Sequence, residues 1–218
     1  MRIHDDFTAP VVLRLDRMSW VSSPSAGVER KMLDRVGQEV ARATSVVRYA
    51  AASAFPSHEH AKGEELLVLE GVFSDEHGNY PAGTYVRNPW GSRHAPYTRE
   101  GCTIFVKLRQ MASDDGARVV VETASGAWCP SGEAGVDVME LHRHGAERVC
   151  LERWASAGTE RVIEVADGLE LFVVQGELQD AAGAWPALTW MRWPAGSVLR
   201  MRSAPGCVLW RKDGPLGR

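Results

Sequence analysis

In the stretch PSHEHAKGEELLVLEG, residues 56–71, His58 and His60 stand two positions apart, Glu64 follows four positions later, and Gly71 closes an apolar run. In extended backbone, residues two apart project to the same face, so both imidazoles can reach one ligand while Ser57 and Glu59 point away. Ala61-Lys62-Gly63 supplies a turn, and an antiparallel return brings the Glu64 carboxylate back beside the imidazoles. A fourth donor, His94, ends the segment GTYVRNPWGSRH, residues 83–94, just after a Pro-x-Gly turn. Imidazole with carboxylate suits iron, manganese, nickel or zinc, whereas a softer site would use thiolate. The expectation is one divalent metal per chain, Zn(II) or Fe(II), held by His58, His60, Glu64 and His94. Four ligands close the shell of a tetrahedral zinc, but they leave two positions open on a metal that favours six.

Positioning these donors calls for short strands and tight turns. VVLRL, SVVRYA, ELLVLEGVFS, TYVRN and CTIFVKL run apolar or alternate, and EHGN, PAG, NPWGS and REG punctuate them. GVERKMLDRVGQEVARA reads as a hairpin, because its Gly, Val and Thr content disfavours a helix. Residues 66–91 lie without a gap on residues 171–196, pairing Gly71 with Gly176, Asp75 with Asp180, Arg87 with Arg192 and Gly91 with Gly196. The same offset pairs Arg48 with Arg153 and Lys107 with Lys212. The predicted architecture is all-β, two tandem barrels with a boundary near QMASDDGA: a metal-binding barrel over 1–110 and a degenerate one over 111–218. In the second repeat the four donors become Ile163, Val165, Leu169 and Leu199. Aliphatic filling is what an interior site tolerates once its metal is gone.

Composition narrows the partners. A net charge of -3, with Lys and Arg scattered, gives no footprint for a polyanion, so nucleic acid is not expected as a direct partner. No apolar run approaches a membrane span, and MRIHDDFTAPVV lacks the form of a signal peptide, so the expected setting is cytoplasmic and away from membranes. Four cysteines, Cys102, Cys129, Cys150 and Cys207, show no CxxC spacing and read as buried thiols.

HxHxxxExxxxxxG followed by GxxxxxPxGxxH is the two-part motif of the cupin superfamily. His58, His60, Glu64 and Gly71, then Gly83, Pro89, Gly91 and His94, match it at every spacing. The wording PSHEHAKGEELLVLEGVFSDEHGNYPAGTYVRNPWGSRHAP closely resembles the ChrR-type cupins, over residues 20–110 and, through the repeat, over the second half. That resemblance implies jelly-roll barrels with the metal inside. It leaves three functions open. The first is a ligand- or oxidant-responsive regulatory protein like the cupin part of ChrR anti-sigma factors. The second is an Fe(II)-dependent dioxygenase cleaving a diketone or hydroxylated aryl ketone. The third is a non-catalytic small-molecule binding barrel. ChrR proteins hold their sigma factor through a helical N-terminal zinc domain. This chain shows no such domain, which argues against a sigma factor as direct partner. A monomeric bicupin and a homodimer both fit two barrels per chain.

Candidates for the pocket around the metal, where a small-molecule ligand or substrate would sit, are Phe55, Tyr49, Trp90, Tyr97 and Lys107, with Arg48 and Arg87 weighed beside them. The recurrence of Arg48, Arg87 and Lys107 in the metal-free half favours a structural role for those three. HRHGAE, with His142, His144 and Glu147, imitates the motif, but its carboxylate comes one residue early and no PxGxxH follows. It is expected to be a surface hairpin.

Overall fold

The computed structural model describes residues 1–155 and 160–217. They form strands throughout, with one 3-10 turn at Leu15–Arg17 and no α-helix among the described residues. Among the described residues no helix is long and apolar enough to cross a membrane. The chain forms two compact units, one of residues 1–5 and 19–126, the other of residues 6–18 and 127–217.

In the first unit the main sheet runs in the order Arg2–Ile3, Val28–Gly37, Ala41–Tyr49, Cys102–Leu108, Glu64–Asp75, Thr84–Asn88, Val119–Glu122, all antiparallel. The segment read as a hairpin is one: Val28–Gly37 pairs with Ala41–Tyr49. Glu64–Asp75 is long enough to serve two sheets. Its first half pairs with Cys102–Leu108, and its second half with Gly78–Pro81 and Tyr97–Thr98. The ladder shifts register between Thr103 and Ile104, and such a bulge bends the strand from one sheet to the other. Gly71 lies just beyond the shift at φ +71, where an added Cβ would come within 2.1 Å of the Gly101 carbonyl oxygen. The motif glycine therefore serves both the left-handed backbone and the close approach.

The second unit repeats this plan. Its main sheet has the order Cys129–Pro130, Val136–His144, Glu147–Trp154, Cys207–Asp213, Gly168–Gln175, Thr189–Pro194, Val11–Arg14. Arg161–Glu164, Val198–Ser203, Glu177–Asp180 and Gly183–Pro186 form the facing sheet. VVLRL thus joins the second unit, with Val11 opposite Arg192, as Val119 stands opposite Arg87 in the first. Each unit is a jelly-roll barrel of two facing antiparallel sheets, the all-β arrangement that the strand pattern leads one to expect.

Strand parity divides the side chains between two faces. Inside the first barrel lie Val28, Val47, Leu66, Val68, Val86, Ile104 and Val106. On the opposite face of the same sheet, Arg87 is fully buried and bonds Glu65 at 2.8 Å and Asp115 at 2.5 Å, while Lys107 Nζ donates to Thr44 Oγ1 at 2.9 Å. Glu65 stands in register with both Arg87 and Lys107. In the second barrel Glu170 likewise stands in register with Arg192 and Lys212. In the first unit these shared polar residues therefore tie neighbouring strands of the sheet to one another.

Three of the four cysteines are buried as expected, but Cys129 is exposed. It occupies a two-residue edge strand that covers neither of its faces. The HRHGAE hairpin is present, with His144 opposite Glu147, but His142 is buried rather than on the surface. The bulge between Glu140 and His142 places it on the covered side.

Arg87→Met should cost about 3–5 kcal/mol of stability, because it removes the guanidinium that bonds two buried carboxylates. Denaturant unfolding will measure that loss, and the folded fraction should still take up metal as the wild type does.

Candidate metal centre

His58 belongs to the two-residue strand His58–Glu59, which pairs with Arg93–His94 so that His58 faces His94 directly. The His60 N–H bonds the Ser92 carbonyl at 2.9 Å, which fixes the turn behind it. Gly91, at φ +74, turns the chain between Pro89 and His94 with open space around its Cα, so the backbone angle is what calls for glycine there. Glu64 opens its strand opposite Asn88, and Asn88 Nδ2 donates to Glu64 Oε2 at 3.1 Å.

These elements bring the three predicted histidines together and set Glu64 beside two of them. One ligand atom from each of His58, His60 and His94 lies within 4.8 Å of the others. Glu64 Oε2 sits 3.6 Å from His60 Nε2 and 3.7 Å from His94 Nε2. Donors sharing one metal at about 2.1 Å stand about 3–4 Å apart, and both Glu64 separations fall within that range. His60 Nε2 and His94 Nε2 are buried without a hydrogen-bond partner, as lone pairs directed at a cation would be. On His94 and His58 the other ring nitrogen is occupied. His94 Nδ1 is 3.1 Å from Asp75 Oδ2, and His58 Nδ1 is 3.1 Å from the Pro56 carbonyl. Donation from Nδ1 leaves Nε2 unprotonated and facing the cluster, the outer-shell arrangement typical of metal-ligating histidines. Asp75 is steadied in turn by Tyr80 Oη at 2.9 Å and the His77 N–H at 2.8 Å.

The electrostatics agree with that donor set. Burial, aided by the neighbouring His58, holds His60 down to about 4, and burial also lowers His94 against the pull of Glu64. Both rings are therefore neutral and ready to ligate near pH 7. Burial raises Glu64 above the carboxylate range, although His94 and Asn88 oppose the shift. Burial also works against charge on Asp75, but its bonds from His77, His94 and Tyr80 prevail and keep it below its ordinary value. A buried carboxylate beside neutral imidazoles is a donor set suited to a divalent cation.

A cavity of about 380 Å³ opens onto this cluster, with His58, Glu64 and His94 in its wall. Tyr49 and Phe55 line it, with ring centroids 5.3 Å apart and edge to face, and Phe73 joins them. The other pocket candidates lie elsewhere. Trp90 is 41% exposed and its indole Nε1 donates to the Met111 carbonyl. Lys107 and Arg87 face the other side of the sheet, Arg48 pairs with Glu29 at the surface, and Tyr97 sits in the strand pairs with Ala54 and Ser74. Sequence reasoning missed Asp75, Asn88 and the cavity-lining Arg30. The alternation of Val28 and Arg30 along one strand was the available signal for Arg30.

In the second barrel Ile163 faces Leu199 in the register that joins His58 to His94. Ile163, Val165, Leu169 and Leu199 pack into one apolar core with Trp154 and Leu178. The space that holds donors in the first unit is filled with hydrocarbon in the second.

Two tandem jelly-roll barrels, one with a histidine and glutamate cluster at a cavity, define the protein as a bicupin. The chain belongs to the ChrR Cupin-like domain family, whose pattern it matches twice, over residues 8–112 and 116–217. Among solved structures it is similar to a candidate dioxygenase from Nostoc punctiforme, with a TM-score of 0.80 at 13% identity over 97% of this chain and 85% of that one. The bacterial pirin YhhW of Escherichia coli, solved in complex with nickel(II), gives 0.68 at 15% identity over 95% and 100%. YlbA of E. coli gives 0.71 at 12% identity over 95% and 92%. At these identities the likeness is one of fold. No curated protein matches the chain.

Asp75→Asn should weaken metal binding about 10–100-fold by loosening His94, measured by competition with a chromophoric chelator. In the metal-free protein the ring proton resonances of His60 should show no step near 6.5 and should move only near 4. Between those values the unfolded chain binds a proton that the folded chain refuses, so metal-free stability falls as pH drops through that window.

Proposed function

We propose that the first barrel holds one divalent metal through His58, His60, Glu64 and His94, and that this metal acts on a small chelating molecule admitted by the cavity. The observation that carries this reading is the position of the cavity. Three of the four donors form part of its wall, so a ligand in the cavity meets the centre directly. A purely structural zinc would have no use for such access.

Among the functions open to the chain, Fe(II)-dependent oxygenation of a diketone or hydroxylated aryl ketone accords best with this geometry. The metal would supply Lewis acidity and a docking point for oxygen when bound. The protein's own groups hold and shield the substrate. Tyr49, Phe55 and Phe73 offer flat apolar surface to a conjugated body, with Tyr49 to Phe73 at 6.1 Å. Burial keeps the Tyr49 phenol well above its ordinary value, so it remains a proton donor and not a phenolate. Neutral His60 and His94 carry no positive charge that would repel a cation.

A second reading, a regulatory protein that changes state when a ligand or oxidant reaches the metal, is supported by the match of both halves to the ChrR Cupin-like domain. The two share a centre and differ in turnover.

Protein reconstituted with Fe(II) should consume oxygen when given 2,4-pentanedione or a 2-hydroxyaryl ketone, as followed with an oxygen electrode. His60→Ala and His94→Ala should each abolish both metal retention and uptake. Binding of these compounds to the iron protein without oxygen consumption would favour the sensing reading. Failure of the wild type to retain any divalent metal would overturn both.

A further inference from the structure

Arg30 stands where the barrel's apolar lining runs. It faces Val47 across the ladder and lies two residues from Val28, and both of those valines border the same cavity as His58, Glu64 and His94. Its side chain is only 16% exposed. One terminal nitrogen reaches Glu39 at 3.2 Å, but Glu39 is 62% exposed, and such a rim contact is weak and screened. The inner nitrogen, Nε, is buried and donates to nothing. A guanidinium with an idle buried N–H on a cavity wall is unfavourable unless an acceptor arrives.

The second repeat provides an internal comparison. Val28 stands opposite Tyr49 as Val136 stands opposite Trp154, which puts Val138 at the place of Arg30. The arginine is therefore absent from the barrel whose four donor positions are aliphatic. Arg87, which serves the sheet's other face, keeps its counterpart in Arg192. Arg30 goes with the metal ligands and not with the scaffold.

We infer that Arg30 is the subsite for a carboxylate, and that the ligand of this cavity is a small planar oxo acid. Its oxo or enol oxygen would go to the metal, its conjugated body would lie against Tyr49, Phe55 and Phe73, and its carboxylate would accept from Arg30. The fork of a guanidinium matches the two oxygens of a carboxylate. Ser23 and Ser25, also in the cavity wall, supply further hydroxyls. At about 380 Å³ the cavity falls at the small end of the range of about 300–1,000 Å³ usual for small-molecule sites. This inference rests on the proposed metal centre and narrows its substrate from ketones in general to those that carry an acid group.

The test compares 2,4-dioxopentanoate with its methyl ester, two ligands with the same diketone but only one with a charge. Each is titrated by calorimetry, without oxygen, into full-length protein loaded with Co(II), while the cobalt absorption reports the metal. Wild type should bind the acid about 10–100-fold more tightly than the ester. Arg30→Val, which installs the residue found in the second repeat, should erase that preference with cobalt content intact, and Arg30→Lys should retain part of it. Equal binding of acid and ester by the wild type would overturn the inference, as would equal weakening of both by Arg30→Val. If the wild type takes up no cobalt, the metal reading fails separately. The acid preference and its loss in Arg30→Val must then still appear in the metal-free chain, or the carboxylate subsite falls as well.

Discussion

The first barrel is organised around a polar cluster that water does not fully solvate. His60, Glu64 and His94 are each less than a tenth exposed, and the two buried imidazole nitrogens aimed at Glu64 have no other partner. In a sheet interior such groups destabilise the fold unless a cation or a complete hydrogen-bond network satisfies them. The rest of the site reduces that penalty. Asn88 and Asp75 hold Glu64 and His94 in place, Tyr80 and a turn amide hold Asp75, and two short strands bring His58 opposite His94. The second barrel meets the same constraint by removing the polar groups. Isoleucine faces leucine where histidine faces histidine, and one continuous apolar core closes over them.

The contrast between the repeats separates scaffold from function within one molecule. Residues common to both, such as Arg87 with Arg192, Glu65 with Glu170 and Lys107 with Lys212, lie on the sheet face turned away from the barrel interior. There a buried arginine ties two carboxylates together and fixes neighbouring strands. Several residues that differ between the repeats, His58, Glu64, His94 and Arg30 among them, line the cavity. Arg30 belongs to that second group despite its charge, and the chemistry of the cavity is therefore set by side chains that the architecture does not require.

Much of this was legible in the sequence because it depends on spacing. Two histidines at period two, a turn, and a carboxylate on the returning strand define a site whatever the surrounding loops do, and the ungapped repeat carries the pairing of His58 with His94 onto Ile163 with Leu199. The face that a strand presents was harder to read. Lys107 and Arg87 are polar residues in apolar runs, and without the register nothing tells that they point outward while Arg30 points in. Asp75 stands just before the EHGN turn, yet it orients His94 across 19 positions of chain. The bulge between Glu140 and His142 reverses parity within a strand and turns a residue expected at the surface into a buried one. The strand Val11–Arg14 pairs with Thr189–Pro194, far along the chain, a partner that local pattern does not reveal.

The central claim is that the cluster formed by His58, His60, Glu64 and His94 is a metal site and that its aliphatic counterpart is not. Crystals of protein grown with one equivalent of Fe(II) or Zn(II), measured on both sides of the metal absorption edge, would test it most directly. The account predicts a single strong anomalous peak at about 2.0–2.2 Å from the Nε2 atoms of His60 and His94 and from a Glu64 oxygen. A cluster without anomalous density, in crystals whose metal binds elsewhere on the chain, would contradict it.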